Sequence, residues 1–182
     1  MNKSMNNKND DRFTPPILVK PILDFIPPHS TIWCPFDSER SEFVKILSAA
    51  GHKVIFSHID NGQDFFKYEP SEPYDYIISN PPFSKKLAIL DRLYQMEKKF
   101  ALLLNLECLN YQEIGSFFLG KHLELLIMDK KVSFDGNTAS FNTSYFCNGV
   151  LPEQLIFYHL PHNNTHDNFI GAELYEKGKP SE

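Results

Sequence analysis

The chain has 182 residues, 42% of them hydrophobic and 23% charged, which is enough to bury one core of ordinary size and reads as a single domain. A formal net charge of -5 excludes a protein that coats nucleic acid through bulk charge and leaves only local basic pairs at Lys85-Lys86, Lys98-Lys99 and Lys130-Lys131, whose plain reading is a solvated face. No apolar run reaches spanning length, the polar start "MNKSMNNKNDDRF" reads as neither signal nor anchor, and three widely spaced cysteines (Cys34, Cys108, Cys147) fit neither a disulfide framework nor a zinc site. The expectation is a cytoplasmic protein with reduced thiols and no membrane partner.

Residues 1–12 and 162–182 read as loose, polar tails around a domain over 13–161. Within it, "STIWCPF" reads as a strand and "DSERSEFVKILSAAG" as a helix capped by Asp37 or Ser38, with Phe43, Ile46 and Leu47 inward and Gly51 as its stop. "HKVIFSHI" is a second strand and "YDYIIS" a third, followed by a helix over about 84–97 that turns Leu87, Leu90 and Tyr94 inward. "FALLLNL" reads as a strand covered on both sides, "NYQEIGSFFLG" as a helix, and "LELLIMDKKVSF" and "EQLIFYHL" as strands. This alternation predicts an α/β fold with a mostly parallel central sheet flanked by helices, whose ligands bind at the carboxyl ends of the strands.

At one such end stands "NPPF". Pro81 and Pro82 carry no N–H, so a peptide oxygen just after Asn80 can be aimed at a ligand, beside the side-chain carbonyl of Asn80 itself. Two rigid acceptors match the two hydrogens of one exocyclic amino group. Held so, the nitrogen favours a pyramidal form whose lone pair is free to meet an electrophile, and no strong base is needed. Phe83 supplies a flat wall for stacking, worth about 1 to 3 kcal/mol per base. The bland alternative, a turn started by Asn-Pro, is disfavoured by the strand before it and the helix after it.

"DYIISNPPFS" resembles the catalytic motif of S-adenosylmethionine-dependent amino-methyltransferases, above all the adenine-N6 DNA methyltransferases, and the chain is similar to their small phage or prophage type over about residues 12–160. The resemblance implies a Rossmann-like methyltransferase fold, S-adenosylmethionine as cofactor, and catalysis by Asn80, Pro81, Pro82 and Phe83. It implies that "RFTPP" closes over the cofactor through Phe13 and Thr14. In "GQDFF" it implies that Asp64 receives the cofactor's adenine amine and Phe65 borders that ring; the alternative is an Asp that starts a turn.

Two departures stand out. "WCPFDSERSE" keeps Pro35-Phe36 but lacks the acid before them and the glycine-rich turn after, which leaves Asp37 to hold the cofactor's ammonium and the helix start near Ser38 its carboxylate, the alternative being that Asp37 is only a cap. His58 stands where an acid commonly holds the ribose, with Asp60 as the alternative two residues on. In "DKKVSFDGNTASFNTSYF", a region beside the target base in similar enzymes, Phe134 is expected to complete a base sandwich and Lys130 and Lys131 to meet phosphate, the alternative being a hairpin packed on the sheet. His159, His162 and His166 cluster without a cysteine, so no metal is expected. DNA is the expected partner, with RNA adenine, a protein glutamine, or a silent methyltransferase-like binding module as the alternatives.

Overall fold

The alternating apolar runs become two helical layers around one sheet. The computed structural model describes residues 14–134 and 142–161. Its strands are Thr31–Cys34 (β1), Lys53–Phe56 (β2), Tyr76–Ser79 (β3), Lys99–Asn105 (β4), Glu124–Met128 (β5), Thr143–Asn148 (β6) and Leu155–Tyr158 (β7). They pair in the order β2-β1-β3-β4-β6-β5-β7, and β6 alone among them runs antiparallel to its neighbours. The helices are Pro16–Val19 (α1), Glu42–Ala49 (α2), Lys86–Gln95 (α3) and Gln112–Phe117 (α4), with a 3-10 turn over Lys20–Phe25 that continues α1.

Alternate residues of the central strands feed opposite faces. Ile32, Ile78, Leu103 and Tyr145 meet Leu18 of α1 and Phe43 and Leu47 of α2 on one side. Trp33, Ile77, Leu102 and Phe146 meet Leu90 and Leu93 of α3 and Ile114 of α4 on the other. Each such apolar side chain taken fully from water contributes about 1.5 to 3 kcal/mol, which is what fixes β1, β3 and β4 at the centre. No helix among the described residues is long and apolar enough to cross a membrane.

Three elements differ from the sequence reading. α2 starts at Glu42, after a Ser41 cap, instead of following an Asp37 or Ser38 cap, because the Ser41 hydroxyl donates to the Asp37 carboxylate and its N–H closes a turn on Ser38 O. A 3-10 turn over Phe83–Lys85 precedes α3, which spans Lys86–Gln95 and buries Ile89 and Leu93 as well as Leu90. Residues 143–148 form a full strand that pairs antiparallel with β5, the hairpin held as the alternative for this region, and it is inserted between β4 and β5. All of Thr143 to Cys147 are buried, so this strand has no apolar/polar alternation to announce it.

Glu124 secures the turn after β6. Its carboxylate accepts from the backbone N–H groups of Gly149 (2.9 Å), Val150 (2.9 Å) and Leu151 (2.8 Å) and lies 2.9 Å from Nε2 of His122. Burial pushes this carboxyl's pKa up, but these donors outweigh it and hold the net value below the ordinary glutamate range.

Candidate active site

β1, β2 and β3 run parallel, so their carboxyl ends share one edge, where Pro35 to Asp37, Ser57 and His58, and Asn80 to Phe83 meet. Two backbone bonds extend the ladder past the strands: Ser57 N–H donates to Cys34 O at 3.1 Å and Asp37 N–H to Ser57 O at 3.2 Å. These hold the Cys34-to-Asp37 segment against the end of β2. Below it, the indole Nε1 of Trp33 donates to Ser57 Oγ at 3.0 Å, so Ser57 braces the edge by side chain and backbone together.

Asp37 is buried at the centre of this edge. Its Oδ1 accepts from Ser41 and its Oδ2 from Ser79, the last residue of β3. Burial pushes its pKa up to about 6, against the opposing pull of the Ser41 and Ser79 hydroxyls and the nearby His58. His58 itself sits at the start of a short turn, where Nδ1 accepts from the backbone N–H of Asp60 at 3.3 Å.

The side-chain Nδ2 of Asn80 donates to the hydroxyl of Thr14 at 3.0 Å, and Thr14 is itself buried. Its Oδ1 is buried with no hydrogen-bond partner. A buried amide oxygen left without a donor costs on the order of 1 to 3 kcal/mol, so this is an acceptor held ready. Pro81 is buried behind it, and Phe83 packs partly against the cluster of α3 and α4. Lys86 Nζ donates to Phe83 O at 3.1 Å and lies 5.6 Å from the centroid of the exposed Tyr111 ring.

Asp64 Oδ1 accepts from the backbone N–H of Phe66 at 3.1 Å, a turn-forming contact. Phe65 is 3% exposed and packs on Phe36 (centroids 4.9 Å apart) and Trp33 (5.7 Å), while Phe66 is only partly buried. Arg92 of α3 clamps this loop: its guanidinium donates to Phe66 O (3.3 Å) and Tyr68 O (3.4 Å) and lies 5.3 Å from the Phe65 centroid. Ser57 and Arg92 carry much of the local geometry without belonging to any motif, and Ser79 lies within "DYIISNPPFS" but draws no role from it. Their signal is position alone, two at strand ends and one a turn and a half into a helix.

Phe134 is half-buried against the cluster of α1 and α2, the sheet face opposite to Phe83. Lys130 Nζ donates to Pro161 O at 2.7 Å, whereas Lys131 is exposed. Tyr145 is fully buried and its hydroxyl donates to Leu18 O at 2.8 Å, which anchors α1 on the sheet. Phe13, His162 and His166 lie outside the described residues. His159 pairs with Asp129, and among the described residues no group of three His, Cys, Asp or Glu side chains could hold a metal ion.

Neither a family model nor a curated protein matches the sequence. Among solved structures, the methyltransferase subunit of a type I restriction-modification system from Streptococcus thermophilus aligns at a TM-score of 0.49 and 12% identity, over 82% of this chain and 47% of that one. A modification subunit of a putative type I restriction enzyme from Vibrio vulnificus aligns at 0.48 and 12%, over 88% and 49%. This chain thus spans about half the length of those two proteins. A putative class I S-adenosylmethionine-dependent methyltransferase from Listeria monocytogenes aligns at 0.51 and 11%, over 96% of this chain and 72% of that one. At that identity the likeness is one of architecture: the chain shares the helix-flanked, mostly parallel α/β sheet of the Listeria protein.

Proposed function

We propose that this chain is an S-adenosylmethionine-dependent methyltransferase that acts on an exocyclic amino group, with adenine N6 in DNA as the substrate. One observation carries the reading: a buried, unpartnered Asn80 Oδ1 at the carboxyl end of β3, followed by two prolines that offer carbonyls and no N–H. The fold shared with the Listeria methyltransferase supports it.

The residues at the edge suit the cofactor. Asp37 is a buried carboxylate for an ammonium; Asp64 and Phe65 lie on the loop clamped by Arg92; and Pro35 and His58 border the same edge. S-adenosylmethionine supplies a methyl group activated on a positively charged sulfur. Asn80 Oδ1 and a peptide oxygen of the Asn80-Pro81-Pro82 turn accept the two hydrogens of the substrate amine and localise its lone pair toward that methyl. Phe83 would stack on the base; the N–C bond would form as the methyl–sulfur bond breaks with its electron pair left on sulfur, and the surplus proton would pass from nitrogen to water. Lys130 and Lys131 meet phosphate, and Phe134 supplies the second ring of the base sandwich.

The test is a product digest. Unmethylated DNA, RNA and a glutamine-rich protein are each incubated with the protein and isotope-labelled cofactor, and the modified nucleoside or residue is read by mass spectrometry. Labelled N6-methyladenine from DNA is expected; label in RNA or glutamine alone rejects the DNA assignment. A second reading, a silent binding module, is favoured by one feature: both oxygens of Asp37 are already taken by the chain's own Ser41 and Ser79. Calorimetry separates the two, since no cofactor binding at millimolar concentration supports the silent module.

A further inference from the structure

Thr14 has a partner that its place in the sequence does not suggest. It begins the described chain, two residues before α1, and its side chain reaches across the fold to Asn80, 66 positions away. A carboxamide has two faces of opposite character, one a donor and the other an acceptor. With Nδ2 engaged by Thr14 Oγ1, the group that remains toward the strand-end edge is Oδ1, buried and without a donor. The anchoring is firm, because α1 is tied to the sheet by Tyr145 through Leu18 O at 2.8 Å and buries Leu18 and Val19 completely.

We propose that Thr14 is the positioning residue of Asn80: it holds the carboxamide by its nitrogen, so that the site presents an acceptor and takes a hydrogen-donating amino group in preference to a carbonyl or an anion. The proposal rests on the methyl-transfer reading and deepens it, because it assigns the substrate's donor character to a named contact. Thr14 touches Asn80 through a single hydroxyl. Loss of that hydroxyl frees the carboxamide to rotate without removing any atom that meets the substrate, so the effect falls on turnover and much less on cofactor affinity.

The experiment uses the full chain with Thr14→Val, Thr14→Ser, Asn80→Ala and the Thr14→Val/Asn80→Ala double variant. The first readout is hydrogen exchange of the Asn80 side-chain amide in asparagine-selectively 15N-labelled protein, its signals assigned by their loss in Asn80→Ala. Thr14→Val is expected to speed that exchange by about tenfold while Thr14→Ser preserves it. The second is methyl transfer to unmethylated DNA. Thr14→Val should lower kcat by about ten- to a hundredfold with the cofactor Kd within about threefold of wild type, Thr14→Ser should restore most of kcat, and the double variant should be no worse than Asn80→Ala. Unchanged exchange in Thr14→Val overturns the proposal whatever the activity. So does a loss confined to cofactor affinity, or a double variant in which the two losses multiply. If wild type transfers no methyl group to DNA, the function above falls, and the exchange measurement still decides whether Thr14 holds Asn80.

Discussion

Ser79, the last residue of β3, donates its hydroxyl proton to Asp37, three residues beyond the end of β1. The bond ties the two central strand ends together, and it places the buried carboxyl of the edge next to Asn80.

Asp37 should make the fold less stable as pH rises through its titration. Burial raises its pKa from 3.8 to about 6, so between those values the native protein keeps a proton that the unfolded chain has released. Its stabilising contribution is therefore complete below 3.8 and is lost as pH rises through about 6. Relative to Asp37→Asn, which does not titrate, wild type should lose about 3 kcal/mol across that window. Urea unfolding of both proteins at the two ends of the window checks this, and a constant difference refutes it. Cofactor affinity should run the other way and rise with pH, since an ammonium needs the ionised carboxylate.

Glu124 has the opposite sign. Its pKa is depressed on balance, so its contribution is present above the ordinary glutamate value and is lost as pH falls through the depressed one. Glu124→Gln places an NH2 against at least one of three backbone N–H donors and should destabilise the protein by about 3 kcal/mol at neutral pH. Thermal unfolding of the variant at neutral and acid pH should show that difference shrinking in acid.

Arg92 and Asp64 should act on cofactor affinity more than on turnover. Arg92→Ala releases the carbonyls of Phe66 and Tyr68, and Asp64→Ala removes the side chain that folds the turn, so each should weaken S-adenosylmethionine binding by about tenfold in calorimetry. Arg92→Lys should not rescue, because one ammonium cannot reproduce a two-pronged contact. Unchanged affinity in both variants would detach this loop from the cofactor.

The two lysines after β5 should differ. Lys130 is engaged by Pro161 O and Lys131 is exposed. The logarithm of DNA affinity falls with log salt by about 0.9 per phosphate neutralised, so Lys131→Ala should make the slope shallower by about one such unit and Lys130→Ala by less. Phe83→Ala should lower activity and leave the slope alone, because stacking releases no counterions. Equal slopes in all variants would move the DNA track to Lys85 and Lys86.

The parallel strands and the position of the Asn-Pro-Pro-Phe segment were legible because β1, β3 and β4 are short apolar runs bounded by polar or turn-forming residues. β6 was legible only as one arm of the alternative hairpin: a strand buried on both faces loses its alternation, and its place between β4 and β5 is set by pairing with residues about 20 and 40 positions earlier. The Asp37 environment was equally out of reach, since Ser79 lies 42 positions away and nothing local marks a serine as its donor. In "DFF" both phenylalanines suit a ring contact by type. Only packing tells that Phe65 enters the core against Trp33 and Phe36 and leaves Phe66 nearer the surface.

The anchoring of α1 has a consequence for synthesis. Tyr145 holds Leu18 across 127 positions and Tyr158 holds Asp24 across 134, so the first of the described helices is fastened by two of the last strands. A nascent chain translated as far as Phe83 already contains the whole Asn-Pro-Pro-Phe turn and Thr14, yet it lacks the strands that keep Thr14 in reach. Closing so long a loop is slow compared with local helix formation, so the turn waits on the ribosome for its partner. The anchoring of Thr14 is complete only once β6 and β7 have emerged, which makes an incomplete translation product a holder of the motif without its geometry.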